Sequence, residues 1–221
     1  KSDTETVLSR QIAFGYSIKD IMWVIAPMFG IATEASGSMG KDTPLSFLSQ
    51  KSQILFNYFK QLFAQVTNPA IDSIREELVM SMEVTLGKER NLLDESPEHC
   101  RKLKVEHPIL NGDEMQKIRN LDQTDLKTVE LPMLFPVSEG QAGLEKALDN
   151  LCQQASQAIE DGATILVLSD KDMDANNAPI PSLLATAGVH HHLLRDKTRP
   201  KIGLVVETGE AREMMHFALL I

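Results

Sequence analysis

Cysteine is nearly absent. Cys100 and Cys152 stand far apart in no metal-ligand spacing, too few for a disulfide framework or an iron–sulfur ligand set. They read as two reduced thiols of a reducing, cytoplasmic compartment. Aromatic residues make up only 5% of the chain, and Tyr58, Phe59 and Phe63 among them lie on a stripe that reads as core. That leaves little aromatic surface for an adaptor whose work is to hold partners. No Lys/Arg-rich run occurs, and the net charge is -9, which disfavours nucleic acid and anionic membrane as partners. No apolar stretch reaches the roughly 18 residues of a spanning helix. The longest, Ile21 to Ala32, is broken by Pro27 and Gly30. The opening Lys1-Ser2-Asp3-Thr4-Glu5 is polar and does not read as a signal peptide. Neither a P-loop, a G-x-G-x-x-G nor a G-x-S-x-G motif is present, and there is no internal repeat or low-complexity tract.

What is present is an ordinary globular composition: 221 residues, 43% hydrophobic and 24% charged, enough for one sizeable core or two small domains. The first half reads helical. Ser17 suits an N-cap, with Ile18, Ile21, Met22, Ile25 and Met28 at helical spacing. Thr33 to Pro44 is loop by composition. Ile54, Leu55, Tyr58, Phe59, Leu62, Phe63 and Val66 form an amphipathic stripe ending at Asn68-Pro69. Val79 to Leu86 is strand-like, and a short helix is expected near Gly112 to Leu121. Thr128 to Val137 is extended, its two prolines suiting an edge strand or a loop crossing. The last third is more regular: a helix over Gly140 to Asp161 stopped by Gly162, an apolar strand Ala163 to Ser169, a helix Pro181 to Arg195, a strand Lys201 to Glu207, and a further helix. Alternating helices and fully apolar strands are the pattern of a parallel α/β fold.

Five segments offer themselves for chemistry. Asp170-Lys171-Asp172-Met173-Asp174 follows a parallel strand, where α/β proteins place sites, and opens like a calcium loop. Ala175 and Pro181 then stand where that loop needs Gly and Glu, so a solvated acidic loop is the better reading. His190-His191-His192 points in directions about 100° apart on a helix, so the three cannot converge on one ion. One histidine facing the core and the others at a surface is expected. Glu207-Thr208-Gly209-Glu210 opens a helix whose free N–H groups could hold an anion, but Glu210 and Glu213 favour capping charges. The loop Ser36 to Pro44, carrying Met39 and Gly40, and the turn Gln65 to Pro69, carrying Thr67 and Asn68, read as turns that position helices. The chain stops about two turns into an apolar helix, Phe217-Ala218-Leu219-Leu220-Ile221, and so reads as part of a longer protein.

Taken together, several segments resemble one family, the central domain of glutamate synthase. They are Ser38-Met39-Gly40, Asp42-Thr43-Pro44-Leu45, Tyr58 through Pro69, Ile74 through Ser81, Leu168-Ser169-Asp170, Pro179-Ile180-Pro181 with Leu183-Leu184-Ala185, Val189 through Leu193, and Val205 through Glu213. They follow the family's order over nearly the whole chain. Departures are Lys41, where the family usually has an acidic residue, and Ala70, Ser73 and Met215 in place of two prolines and a histidine.

The resemblance implies an α/β, degenerate TIM-barrel-like central domain with a helical N-terminal part. The helical part would cover about 1–78 and the barrel-like part about 79–221. It implies a parent oxidoreductase in which a glutaminase domain releases ammonia from glutamine. An FMN and 3Fe–4S domain would then form glutamate from that ammonia and 2-oxoglutarate. The flanking domains of the same chain would be the partners, with an electron-donating subunit or ferredoxin. The central domain would join the two catalytic domains and help wall an ammonia tunnel, with Met39, Gly40, Thr67 and Asn68 near the tunnel or a domain interface. No catalytic, cofactor-binding or metal residue is expected here, and the fragment alone is expected to be inactive. Pliable Met39 suits a narrow passage but equally suits packing. The competing reading is an independent barrel enzyme using Asp170, Asp172 and Glu207 at strand ends.

Overall fold

Ser17 and Asp20 cap the second helical stretch reciprocally: the Ser17 hydroxyl donates to Asp20 Oδ2 at 2.7 Å, and the Asp20 N–H donates to Ser17 Oγ at 3.2 Å. This is seen in a computed structural model that describes residues 4–31, 44–60, 72, 74–123 and 125–221. The chain divides into two compact units, one formed by 1–71 with 209–221 and the other by 72–208.

The helical unit begins with α1 (Thr4–Ala13), followed by a π-helical stretch Asp20–Ile25 that runs directly into α2 (Ala26–Ile31). Pro27 and Gly30 therefore lie inside a helix and do not break it. Proline lacks an N–H and its ring crowds the carbonyl four residues back. The wider π turn before it, in which the Ala26 N–H reaches back to Ile21 O, gives that ring room. Short 3₁₀ turns follow at Ser46–Leu48 and Leu55–Phe59. The stripe expected to be one long helix is thus a 3₁₀ turn over its first part, and the remainder lies outside the described residues. Tyr58 and Phe59 are exposed, and Phe56 is the fully buried ring.

In the second unit come α3 (Glu76–Val79), β1 (Val84–Leu86), β2 (Leu103–Val105), α4 (Gly112–Arg119), β3 (Asp122–Gln123), β4 (Leu126–Pro132), β5 (Leu134–Pro136), α5 (Gly140–Glu160), β6 (Ile165–Ser169), β7 (Asn177–Pro179), α6 (Ser182–Arg195) and β8 (Gly203–Glu207). The chain then rejoins the helical unit as α7 (Met214–Leu220). The main sheet has the order β3-β4-β6-β8, with β4, β6 and β8 parallel. The expected α/β class is what the chain adopts. Among the described residues this sheet is open, with β3 and β8 at its edges. The stretch expected as an edge strand or crossing is instead β4, inside the sheet, and then β5. Buried Met133 separates them, its N–H donating to Ser169 O and its carbonyl accepting from the Ile180 N–H, both at 2.9 Å.

Strand alternation sorts the core into two faces. Leu131, Leu166 and Leu168 pack with Leu151 and Ala155 of α5 and with Val189 and Leu193 of α6. Ile165, Val167 and Val205 face the other way, onto Met115 and Ile118 of α4. All five residues of β6 are buried, as a central parallel strand requires. α5 stops at Gly162, whose φ of 87° is a left-handed turn open to glycine.

Candidate functional site

In register, Pro132, Ser169 and Glu207 form the last row at the carboxyl ends of the parallel strands, and Glu130 lies two residues back, level with Val167 and Val205. Glu130, Ser169 and Glu207 therefore share the face that α4 covers. α4 is placed by a capping box, Asn111 Oδ1 accepting from the Asp113 and Glu114 N–H groups while Glu114 Oε2 accepts from the Asn111 N–H. Its last turn delivers Arg119 onto the strand ends. There Arg119 Nε donates to Glu130 Oε2 at 2.5 Å and Nη2 donates to Glu207 Oε2. Ser169 Oγ donates to the same Glu207 oxygen at 2.5 Å, and Lys171 pairs with Glu130. One residue on, Thr208 Oγ1 donates to Asp170 Oδ2 at 2.6 Å, and Asp170 is almost fully buried.

Charges in this edge neutralise one another. Burial opposes ionisation of Glu130, but hydrogen bonds from Lys171 and Arg119 outweigh it and hold the carboxyl below its usual range. Bonds to Glu207 and then Glu130 raise Arg119 further above its ordinary value. The arrangement is a satisfied ionic network that fixes α4 and the strand ends. Of the three residues proposed above for an independent barrel enzyme, the fold brings Asp170 and Glu207 to adjacent strand ends, while Asp172 is exposed. The Arg119 guanidinium at this edge is already engaged by the Glu130 and Glu207 carboxylates.

The other candidates resolve as structure. Asp174 accepts from the Asn176 and Asn177 N–H groups at 2.8 and 2.7 Å, which lowers its pKa and folds the loop back on itself. Among the described residues no group of three or more His, Cys, Asp or Glu could hold a metal ion. No histidine of the triplet faces the core, contrary to expectation: the buried residues there are Val189 and Leu193. His190 Nδ1 accepts from Arg199 Nε at 3.1 Å, and burial, with Arg199 and His191 nearby, depresses its pKa. His192 makes a false triad. Its Nε2 lies 2.9 Å from Ser156 Oγ and 3.2 Å from Asp196 Oδ2, so one nitrogen meets both partners, whereas a nucleophile's base needs a different nitrogen for each. Cys152 is half-buried, and burial raises its thiol, the opposite of a reactive cysteine. With Cys100 exposed elsewhere, the two thiols do not fit an iron–sulfur cluster.

The 207–213 segment does not begin a helix at Gly209; α7 starts at Met214. The intervening turn does other work in the helical unit. Gly209 O accepts from the Tyr16 hydroxyl at 2.8 Å. Arg212 is buried, donates to Phe14 O at 2.5 Å and to Gly15 O and Asp20 Oδ2 at 3.3 Å, and stacks over the Tyr16 ring. The Arg212 N–H donates to His216 Nδ1 at 3.2 Å, which places the imidazole proton on Nε2. That Nε2 lies 3.3 Å from Glu213 Oε1, which also accepts from Lys60 Nζ at 3.0 Å. His216 stacks on Phe56 with ring centroids 4.3 Å apart. The acidic Glu213 and basic Arg212 were visible in the sequence, but not their partners. Met39, Gly40, Thr67 and Asn68 lie outside the described residues.

Residues 9–221 match the family model of the glutamate synthase central domain. The chain belongs to this family. It is 46% identical over 215 residues to the glutamate synthase (NADPH) large chain of Bacillus subtilis (strain 168), covering 97% of this chain and 14% of that one. It is 42% identical to the glutamate synthase (NADH) of Saccharomyces cerevisiae, covering 96% and 10%, and 43% identical to the ferredoxin-dependent glutamate synthase of Pyropia yezoensis, covering 99% and 14%. This central domain thus spans between 10% and 14% of the length of these relatives. Two of the segments that carry the resemblance, Val205–Glu213 and Leu168–Asp170, contribute residues to the two networks.

Proposed function

We propose that this central domain is a non-catalytic linker in a glutamate synthase. It joins the glutaminase and FMN synthase parts of one polypeptide and helps wall the passage that carries ammonia between them. The observation that carries this is exposed apolar surface. In the helical unit Ile18, Trp23, Phe29 and Ile31 are 75%, 65%, 92% and 74% exposed; in the α/β unit Ile74 and Leu78 are 91% and 79% exposed. Large apolar side chains left this far in solvent suit contacts with other protein, and the relatives' much greater length allows for it. The satisfied strand-end network supports a structural rather than catalytic role. Within this reading the open sheet is part of a degenerate barrel. Met39, Gly40, Thr67 and Asn68 border the passage, where apolar groups keep ammonia from water and hence from protonation. FMN and the 3Fe–4S cluster belong to the rest of the parent protein.

Uncoupling tests this in the full-length protein. Trp23→Asp with Phe29→Asp, and separately Met39→Asp, are expected to lower glutamine-dependent glutamate formation while glutamine hydrolysis and ammonium-dependent glutamate formation persist. Equal loss of all three activities would count against a linking and channelling role.

A further inference from the structure

We propose that the segment 209–221 is the keystone of the helical unit: the stretches 4–31 and 44–60 acquire fixed structure only when it docks on both. Among the described residues of this unit three are buried, Phe56, Arg212 and His216, and two of them belong to this segment. The segment touches each of the other stretches by distinct chemistry. Arg212 caps the carbonyls of Phe14 and Gly15, just past the end of α1, from 198 and 197 residues away, and holds Asp20 and the Tyr16 ring. His216 stacks on Phe56, and Glu213 pairs with Lys60.

Among the described residues, the two earlier stretches bury one side chain, Phe56. α1 has 10 residues, below the roughly 12–15 at which isolated helices become even marginal. Leu8 and Ile12 on α1 are 56% and 67% exposed, so α1 buries little of its apolar side chains. The fit at the junction is close. A Cβ on Gly209 would lie 2.4 Å from Phe14 Cε2, so only glycine lets the Phe14 ring seat there. The sequence of the α/β unit lies between the two parts of the helical unit. Its βαβαβ contacts are more local and form first, since a contact across a long loop must first overcome closure entropy. The helical unit is therefore completed last, by a segment that arrives after the α/β unit has been made.

Pulsed hydrogen exchange during refolding of the full polypeptide that carries this domain tests the order. The amides of α1 and of Leu55–Phe59 are expected to gain protection in the same phase as those of α7, after those of β6 and β8. Protection of α1 or Leu55–Phe59 before α7 would overturn the proposal. A second measurement uses Gly209→Val, which drives a branched side chain against Phe14. Native-state exchange is expected to show loss of protection in α1, Leu55–Phe59 and α7 together, with β6 and β8 unchanged. Loss confined to 209–221 would overturn it. If the variant does not accumulate, the refolding order of the unaltered protein decides.

Discussion

At Glu213 the His216 imidazole and then the Lys60 ammonium hold the carboxyl at about 2, against an ordinary value of 4.5. A carboxylate depressed in the folded state favours folding above its unfolded pKa, and that contribution fades as pH falls from about 4.5 towards about 2. Glu213→Gln is accordingly expected to flatten the acid side of the stability profile of the helical unit relative to wild type. Amide exchange in α1 and α7 across that window is the measurement; an unchanged acid profile would remove Glu213 from this role. Arg119 is the corresponding residue of the α/β unit. Replacing it with Met leaves Glu130 and Glu207, both about one-quarter exposed, without their shared cation. Partial solvation reduces the several kcal/mol expected of a buried pair, so Arg119→Met is expected to cost about 1–2 kcal/mol in denaturant unfolding. Glu213 and His216 are near neighbours in sequence, but the Arg119 network is not legible locally. Arg119 meets partners 11 and 88 residues away, and no spacing rule joins them. Glu207 and Asp170 could be picked out only because strand ends are where α/β folds gather polar groups.

Elements were legible where one period ran unopposed. α5, β6, α6 and β8 follow from apolar spacing, a glycine stop and a proline start, and each lies where its pattern puts it. The α5 stripe then makes a sharp prediction. Leu151 is 2% exposed against the sheet and Leu194 on α6 is 46% exposed. Leu151→Ala should cost about 3 kcal/mol, and Leu194→Ala about 0.5 kcal/mol or less, by urea or thermal unfolding. Similar costs at the two positions would mean that α5 does not supply the core as described. Elements were illegible where a local rule met a tertiary override. Prolines argued for an edge at β4, yet Pro132 sits at the strand's last position, where the missing N–H breaks little of the ladder. Pro27 argued for a break, and a π turn accommodates it. Gly209 argued for a helix start, but the turn is spent on Tyr16, Phe14 and Asp20 before α7 begins.

For the whole molecule, charge and apolar exposure act against each other. A net charge of -9 keeps copies apart at neutral pH, but the chain reaches neutrality near pH 5.2. The ionic contacts inside each unit survive that change, because Glu130, Asp20 and Glu213 titrate below their ordinary values. The fold therefore outlasts the charge that keeps copies apart, and Trp23, Phe29 and Ile31 stay exposed as repulsion vanishes. The 221-residue chain by itself is expected to self-associate with a maximum near pH 5.2, with its amide protection intact. Light scattering against pH, paired with hydrogen exchange, measures both. Trp23→Asp with Phe29→Asp should lower scattering there even after correction for the shift in isoelectric point, whereas the same two acidic replacements at the exposed and likewise neutral Gln153 and Gln154 should not. Equal effects from the two pairs would make net charge the cause and leave the apolar face without a role. A selective effect would trace the association to those apolar side chains and favour the linking role proposed above.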